Sequence, residues 1–174
     1  PEAPPTQVIC TPLSSQSVKV SWNSPPVHQH GGIIQGYKVF YRPLPTDNME
    51  ISTVQEVKRT SSEETHLHTL YKYTNYSIRV LAFTGAGDGV LSPAIYCTTE
   101  EDVPGPPAGI KALALTAESI LVSWLPPLQP NGKVSMYTVY SREAGSTRYN
   151  THTMHEPPLS QTDTLTMELR GLTE

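Results

Sequence analysis

Hydrophobic and polar residues alternate along short stretches of this chain. Val18, Val20 and Trp22 are interleaved with Lys19 and Ser21. Tyr37, Val39 and Tyr41 alternate with Lys38, Phe40 and Arg42, and Tyr76, Ile78, Val80 and Ala82 with Ser77, Arg79, Leu81 and Phe83. A side-chain period of two over β-branched and aromatic residues, broken by Pro, Gly, Asn and Ser, predicts half-buried antiparallel strands. Strands A, B, C, C′, E, F and G are expected over residues 8–11, 17–22, 34–42, 51–58, 65–70, 75–84 and 94–99 respectively. Seven strands in about 100 residues predict an all-β, immunoglobulin-like sandwich of two sheets. Its core is expected to hold Trp22, Tyr37 and Tyr76.

The pattern then repeats. Val20-Ser21-Trp22 recurs as Val122-Ser123-Trp124, and Pro25-Pro26 as Pro126-Pro127. Tyr37-Lys38-Val39 returns as Tyr137-Thr138-Val139, and Leu67 and Leu70 as Leu169 and Leu172. A period near 100 residues is too long for a solenoid and suits tandem domains. We expect one domain over 1–101 and a second over 102–174, with Trp124 and Tyr137 in the second core. The repeat offset carries Thr74 and Tyr76 past Glu174, so the second sandwich is expected to lack its last two strands, F and G. Half a sandwich is not stable alone, so further chain, or a second chain, is expected to complete it.

Composition narrows the classes. Proline is 17 of 174 residues, about twice the usual ~5%, which excludes long helical bundles. Lys and Arg number 12 against 16 Asp and Glu, for a net charge of −4, which argues against broad binding of nucleic-acid phosphates. No apolar run approaches the ~18–20 residues of a membrane span. The chain opens at Pro1 without a Met or a basic-then-apolar leader, so it reads as an internal piece of a longer protein.

Several landmarks together resemble the fibronectin type III family. They are Pro4-Pro5, Trp22 with Pro25-Pro26, Tyr37-x-Val39-x-Tyr41, Leu70-x-x-x-Thr74-x-Tyr76-x-Ile78-x-Val80-x-Ala82, and Gly87-x-Gly89-x-x-Ser92. Tyr76 falls where that family has its tyrosine corner, a phenol bonded back to the loop before its strand. Lys72 departs from the pattern, which often has Pro there. Within the family, Gln7-Val8-Ile9-Cys10, residues 71–76, 85–90 and 101–112 are similar to the Down syndrome cell adhesion molecule (Dscam) family, near its third and fourth type III repeats. The arthropod members are nearer, since they also carry the Cys10/Cys97 pair. The resemblance implies part of a single-pass neuronal surface receptor for self-recognition, axon guidance and self-avoidance. There, homophilic recognition is assigned to the immunoglobulin domains rather than to these repeats.

Cys10 and Cys97 are the only cysteines. Alternation turns both inward on strands A and G, which run near each other at the sandwich edges. They read either as a disulfide, which an extracellular setting allows, or as two free core thiols. Asn75-Tyr76-Ser77 is the only sequon with a permitted middle residue, and Asn75 points outward opposite to Tyr76. Asn75 is therefore a candidate glycan acceptor, against the alternative of an unmodified polar residue at a strand start. Phe40, Leu81 and Phe83 fall on the outward C–F face as a candidate interaction patch, or as apolar atoms covered by the stems of Lys38 and Arg79.

Catalytic chemistry finds no support. His66 with His68, His28 with His30, and His152 with His155 each supply two imidazoles where a zinc site wants three or four ligands. There is no Gly-x-Ser-x-Gly elbow and no phosphate loop, and the glycines over 85–89 read as the F–G turn. Lys58-Arg59 is too short a basic run for a heparin or nucleic-acid patch. No cofactor, metal or catalytic residue is expected. The expected function is an extracellular spacer and interaction segment of a plasma-membrane receptor. Its partners are expected to be proteins, through lateral or homophilic association of the parent receptor. The proline-stiffened linker over 99–107 is expected to limit domain motion. The alternatives are a ligand-binding receptor ectodomain, though the Trp-Ser-x-Trp-Ser motif is missing, or an accessory module of a receptor phosphatase or secreted enzyme.

Overall fold

In the computed structural model, residues 1–46, 51–155 and 164–173 are described. The chain divides into two compact units, Pro1–Asp102 and Val103–Glu174. In the first, β1 (Thr6–Ser14), β2 (Ser17–Asn23) and β5 (Glu64–Leu67) form one antiparallel sheet in the order β1-β2-β5. The other sheet holds β3 (Gly36–Pro43), β4 (Glu56–Thr60), β6 (Asn75–Thr84), β7 (Gly87–Asp88) and β8 (Ile95–Thr98). Its order is β4-β3-β6-β7, and β8 also pairs with β6. The inward residues predicted by alternation fill the space between the sheets. Val18, Val20, Val39, Ile78 and Val80 are fully buried, joined by Trp22, Tyr37, Leu67 and Tyr76. The Trp22 and Tyr37 rings meet edge to face, with centroids 5.3 Å apart.

Two strands depart from expectation for a readable reason. The fourth begins at Glu56 rather than at residue 51. Its register runs Tyr41↔Glu56, so continuing it backward would meet Pro43 and Pro45, which have no N–H to donate. The fifth ends at Leu67, because Thr69 takes a left-handed backbone (φ 59°) to turn the chain.

The G edge is split in two by a side-chain device. β7 pairs with the end of β6 and β8 with its start. Between them the buried Ser92 substitutes for a strand residue. Its N–H donates to the Val80 carbonyl at 2.8 Å, and its hydroxyl accepts the Val80 N–H at 2.9 Å. Gly89 is required beside it, since an added Cβ would stand 2.8 Å from the Ala82 carbonyl oxygen.

The second unit builds one sheet from β9 (Ala108–Thr116), β10 (Ser119–Leu125) and β13 (Leu165–Leu169), in the order β13-β10-β9. A second sheet pairs β11 (Met136–Ser141) with β12 (Asn150–His155). Trp124, Tyr137 and Leu165 form its core. Strand register repeats between the units: Val18 faces Leu67 as Ile120 faces Leu169. Counterparts of β6 and β8 do not fall within the 174 residues. Apolar side chains of β9, including Ile110 and Leu113, are exposed.

Candidate functional site

The crossing from β5 to β6 in the first unit is tied down from two sides. The phenol oxygen of Tyr76 accepts the backbone N–H of Tyr71 at 2.7 Å, which is the tyrosine-corner geometry. From the other side, the Thr99 hydroxyl donates to the Tyr71 carbonyl at 2.7 Å and accepts the Thr74 N–H at 2.9 Å. Lys72, the departure from the family pattern, pairs with Asp102 at 2.8 Å. In the sequence, nothing marks Thr99 beyond its being a small hydroxyl residue at the end of the last expected strand. Burial holds the Tyr76 phenol above its ordinary pKa.

Cys10 and Cys97 are joined as a disulfide, with Cα atoms 6.0 Å apart. The bond links β1 of one sheet to β8 of the other. Asn75 is half-buried at the start of β6, opposite Thr98. Its Oδ1 accepts a 3.4 Å bond from the Thr98 hydroxyl.

Of the two readings of the outer β3/β6 face, the structure shows the covered one for Leu81, which is 4% exposed rather than part of an open apolar patch, while Phe40 and Phe83 are half-buried. Packing on the face itself explains this. Lys38 stands directly opposite Leu81, and its ammonium is held 2.8 Å from Asp88 and over the Phe83 ring, 5.6 Å from the centroid. The Phe83 ring lies over Gly36, where a Cβ would come within 2.8 Å of it. The long neighbours fold down on the leucine, as the stems of Lys and Arg do over apolar surface. What the face presents instead are Arg42, Arg79 and, from β4, Arg59, all exposed.

A polar cleft opens at one end of this face, lined by Tyr41, Arg42, Thr53, Gln55, Ser77 and Arg79. Tyr41 also borders a neighbouring cavity that holds Glu56. Its hydroxyl donates to Glu56 Oε2 at 2.7 Å. Burial, and then the bonded carboxylate, push the Tyr41 pKa up to about 12.

The histidines are dispersed. His66 on β5 and His68 just past its end are both exposed, with ring centroids 6.1 Å apart. His30 Nε2–H donates to the Pro25 carbonyl at 2.6 Å and so closes its own loop. Among the described residues, no group of three or more His, Cys, Asp and Glu could hold a metal ion. No helix among them is long and apolar enough to cross a membrane.

This two-sheet topology, its tyrosine corner and its repeated Trp–Tyr cores define a tandem β-sandwich module. The chain belongs to the fibronectin type III domain family, matched over residues 3–98 and 105–174. It is similar to Cell adhesion molecule Dscam1 of Drosophila melanogaster, with 49% identity over 146 residues. It is also similar to human Cell adhesion molecule DSCAML1, with 44% identity over 146 residues. Each alignment covers 84% of this chain but only 7% of the relative, so the chain spans a small part of those proteins. Among solved structures, the third fibronectin III domain of the human KIAA0343 protein superposes with a TM-score of 0.51 at 24% identity. That match covers 61% of this chain and 89% of the domain, and it supports the fold.

Proposed function

We propose that the chain is a non-catalytic extracellular segment of a cell-surface adhesion receptor, serving as spacer and contact surface. The observation that carries this reading is the similarity to Dscam-type cell adhesion molecules across both units. The Cys10–Cys97 bond agrees with it, because such bonds persist in oxidising compartments. The finer reading is that the parent is a single-pass receptor in neuronal recognition, axon guidance and self-avoidance, and that Asn75 carries an N-linked glycan. Lateral or homophilic association belongs to the parent receptor.

The test is staining of intact cells that express the parent protein, using an antibody raised against this chain. Labelling of unpermeabilised cells is expected. Labelling only after permeabilisation overturns the extracellular reading. Sedimentation of the parent ectodomain, with and without this segment, tests the association. The neuronal role is tested by deleting the parent gene in single neurons: crossing of sister branches is expected, and unchanged branching refutes it.

A further inference from the structure

We propose that the outer face of the β4-β3-β6 sheet binds a sulfated polysaccharide, with one sulfate seated in the cleft between Arg42 and Arg79. All three arginines of the first unit, Arg42, Arg59 and Arg79, lie on this one face. Strand register puts them there. Phe40 faces Arg79 and Val57, Arg42 faces Ser77, and Arg59 faces Lys38, so outward positions on three strands coincide. They stand 17 to 37 residues apart in sequence, and no basic run announces them. Lys58, the neighbour of Arg59, turns the other way and donates to the His66 carbonyl.

These charges stand out in a chain of net charge −4. None of the three guanidiniums is among the ion pairs of the described residues, which engage Lys19, Lys38, Lys72 and Arg170. Asp88, a carboxylate on this face, is already taken by Lys38. The cleft between Arg42 and Arg79 is lined otherwise by Tyr41, Thr53, Gln55 and Ser77, which are hydroxyl and amide groups. Glu56 borders the neighbouring cavity, held by the Tyr41 hydroxyl. Two guanidiniums and several neutral donors around a concavity suit a tetrahedral oxyanion, which a planar guanidinium grips with paired N–H bonds. Such a lining repels a cation and offers little to an apolar ligand.

The rest of the face suggests a repeating polyanion rather than a single ion. From strand spacing and rise, Arg42 and Arg79 are roughly 8 Å apart, and Arg59 is roughly 12 Å from Arg79. Phe40 and Val57 sit side by side between these charges. Sugar rings have apolar C–H faces that rest on an aromatic ring, while their sulfates reach outward. A basic ring around a half-buried phenylalanine provides both contacts at once. The proposal takes its choice of polymer from the extracellular reading above. The experiment is made in solution, so its failure leaves that reading standing.

The experiment measures binding of a heparin oligosaccharide to the chain by titration calorimetry. The protein carries Asn75→Gln, so that no glycan stands beside Ser77 and the cleft. Saturable binding is expected at about 50 mM salt, weakening as salt rises, because each displaced counterion adds to the slope. Arg42→Gln with Arg79→Gln is expected to weaken binding at least about tenfold and to flatten that slope. Lys111→Gln with Arg148→Gln removes the same charge from the second unit and is expected to change it less than about twofold. Melting curves check that the variants stay folded. Absence of saturable binding at low salt overturns the proposal, as does equal loss in both double variants, which marks diffuse charge. Equal binding of fully desulfated heparin overturns the sulfate assignment. Equal binding of polyglutamate reassigns the face to an acidic protein.

Discussion

Removing the bridge between the sheets is the sharpest test of what holds the first unit together. Cys10→Ala with Cys97→Ala opens a loop of 87 residues. In the chain-entropy model a closed loop of that length restrains the unfolded chain by about 4.5 kcal/mol. Cys97 is buried and Cys10 partly so, and losing their sulfur contacts adds roughly 1 kcal/mol. The sum is a large share of the ~5–15 kcal/mol that stabilises a domain of this size. At a urea slope of about 1.5–2.5 kcal/mol per molar, the midpoint falls by roughly 2–4 M. The assay uses the fact that each unit has one tryptophan. In a Trp124→Phe background, Trp22 fluorescence reports the first unit alone. The Trp22 transition is expected to shift to lower urea. A shift of the Trp22 midpoint below about 0.5 M at unchanged slope refutes the argument, because the unfolded ensemble would then not feel the restraint.

Three further outcomes follow from the same unit. Tyr76→Phe keeps the buried ring but strands the Tyr71 N–H, so urea unfolding should show a loss of about 1–3 kcal/mol; a loss under ~0.5 kcal/mol would mean that water replaces the phenol. Tyr41 ionises near pH 12 in the folded chain instead of 10.0, so its neutral form favours folding. That contribution is complete below pH 10 and is lost as pH rises through 12. Ultraviolet titration should show a late phenol that disappears in Tyr41→Phe. In Glu56→Gln it should move down without reaching 10.0, since burial is the largest cause; ionisation at 10.0 in the parent would contradict the assignment. Peptide-N-glycosidase treatment of protein secreted from insect cells should lower its mass and leave Asp at position 75; an unchanged mass removes the glycan.

The strands were legible because burial on one face imposes alternation, and alternation needs no knowledge of neighbours. Val18, Val20, Val39, Ile78 and Val80 could be assigned to the core from their own segments. Outward positions carry no such constraint. Leu81 has an outward place by parity and is nevertheless buried, because Lys38 and Phe83 come from other parts of the sheet and fold over it. The late start of β4 depended on its partner strand offering Pro43 and Pro45. Thr99 could not be read as a loop clamp until the crossing from β5 to β6 was placed against it. The arginine face was hidden for the same reason: Arg42, Arg59 and Arg79 meet only once the β3/β4 and β3/β6 registers are fixed.

The two units make this division an internal experiment. Inner residues recur with their geometry: Trp124 and Tyr137 have ring centroids 5.5 Å apart at 56°, against 5.3 Å at 61° for Trp22 and Tyr37. Outer residues do not. Thr138 stands in place of Lys38 and Tyr140 in place of Phe40. Arg142 does repeat Arg42, but its surroundings differ. Its guanidinium lies 5.2 Å from the Tyr149 ring centroid and donates to the Ser146 carbonyl at 3.4 Å. The second unit therefore engages its arginine in its own structure, while the first leaves Arg42 facing an open cleft beside Arg79. A shared fold requires the inner set, so selection on the outer set is free to differ between repeats. A guanidinium clustered at an open cleft in one repeat beside an engaged one in the next is the pattern expected of a binding face that belongs to the first unit alone.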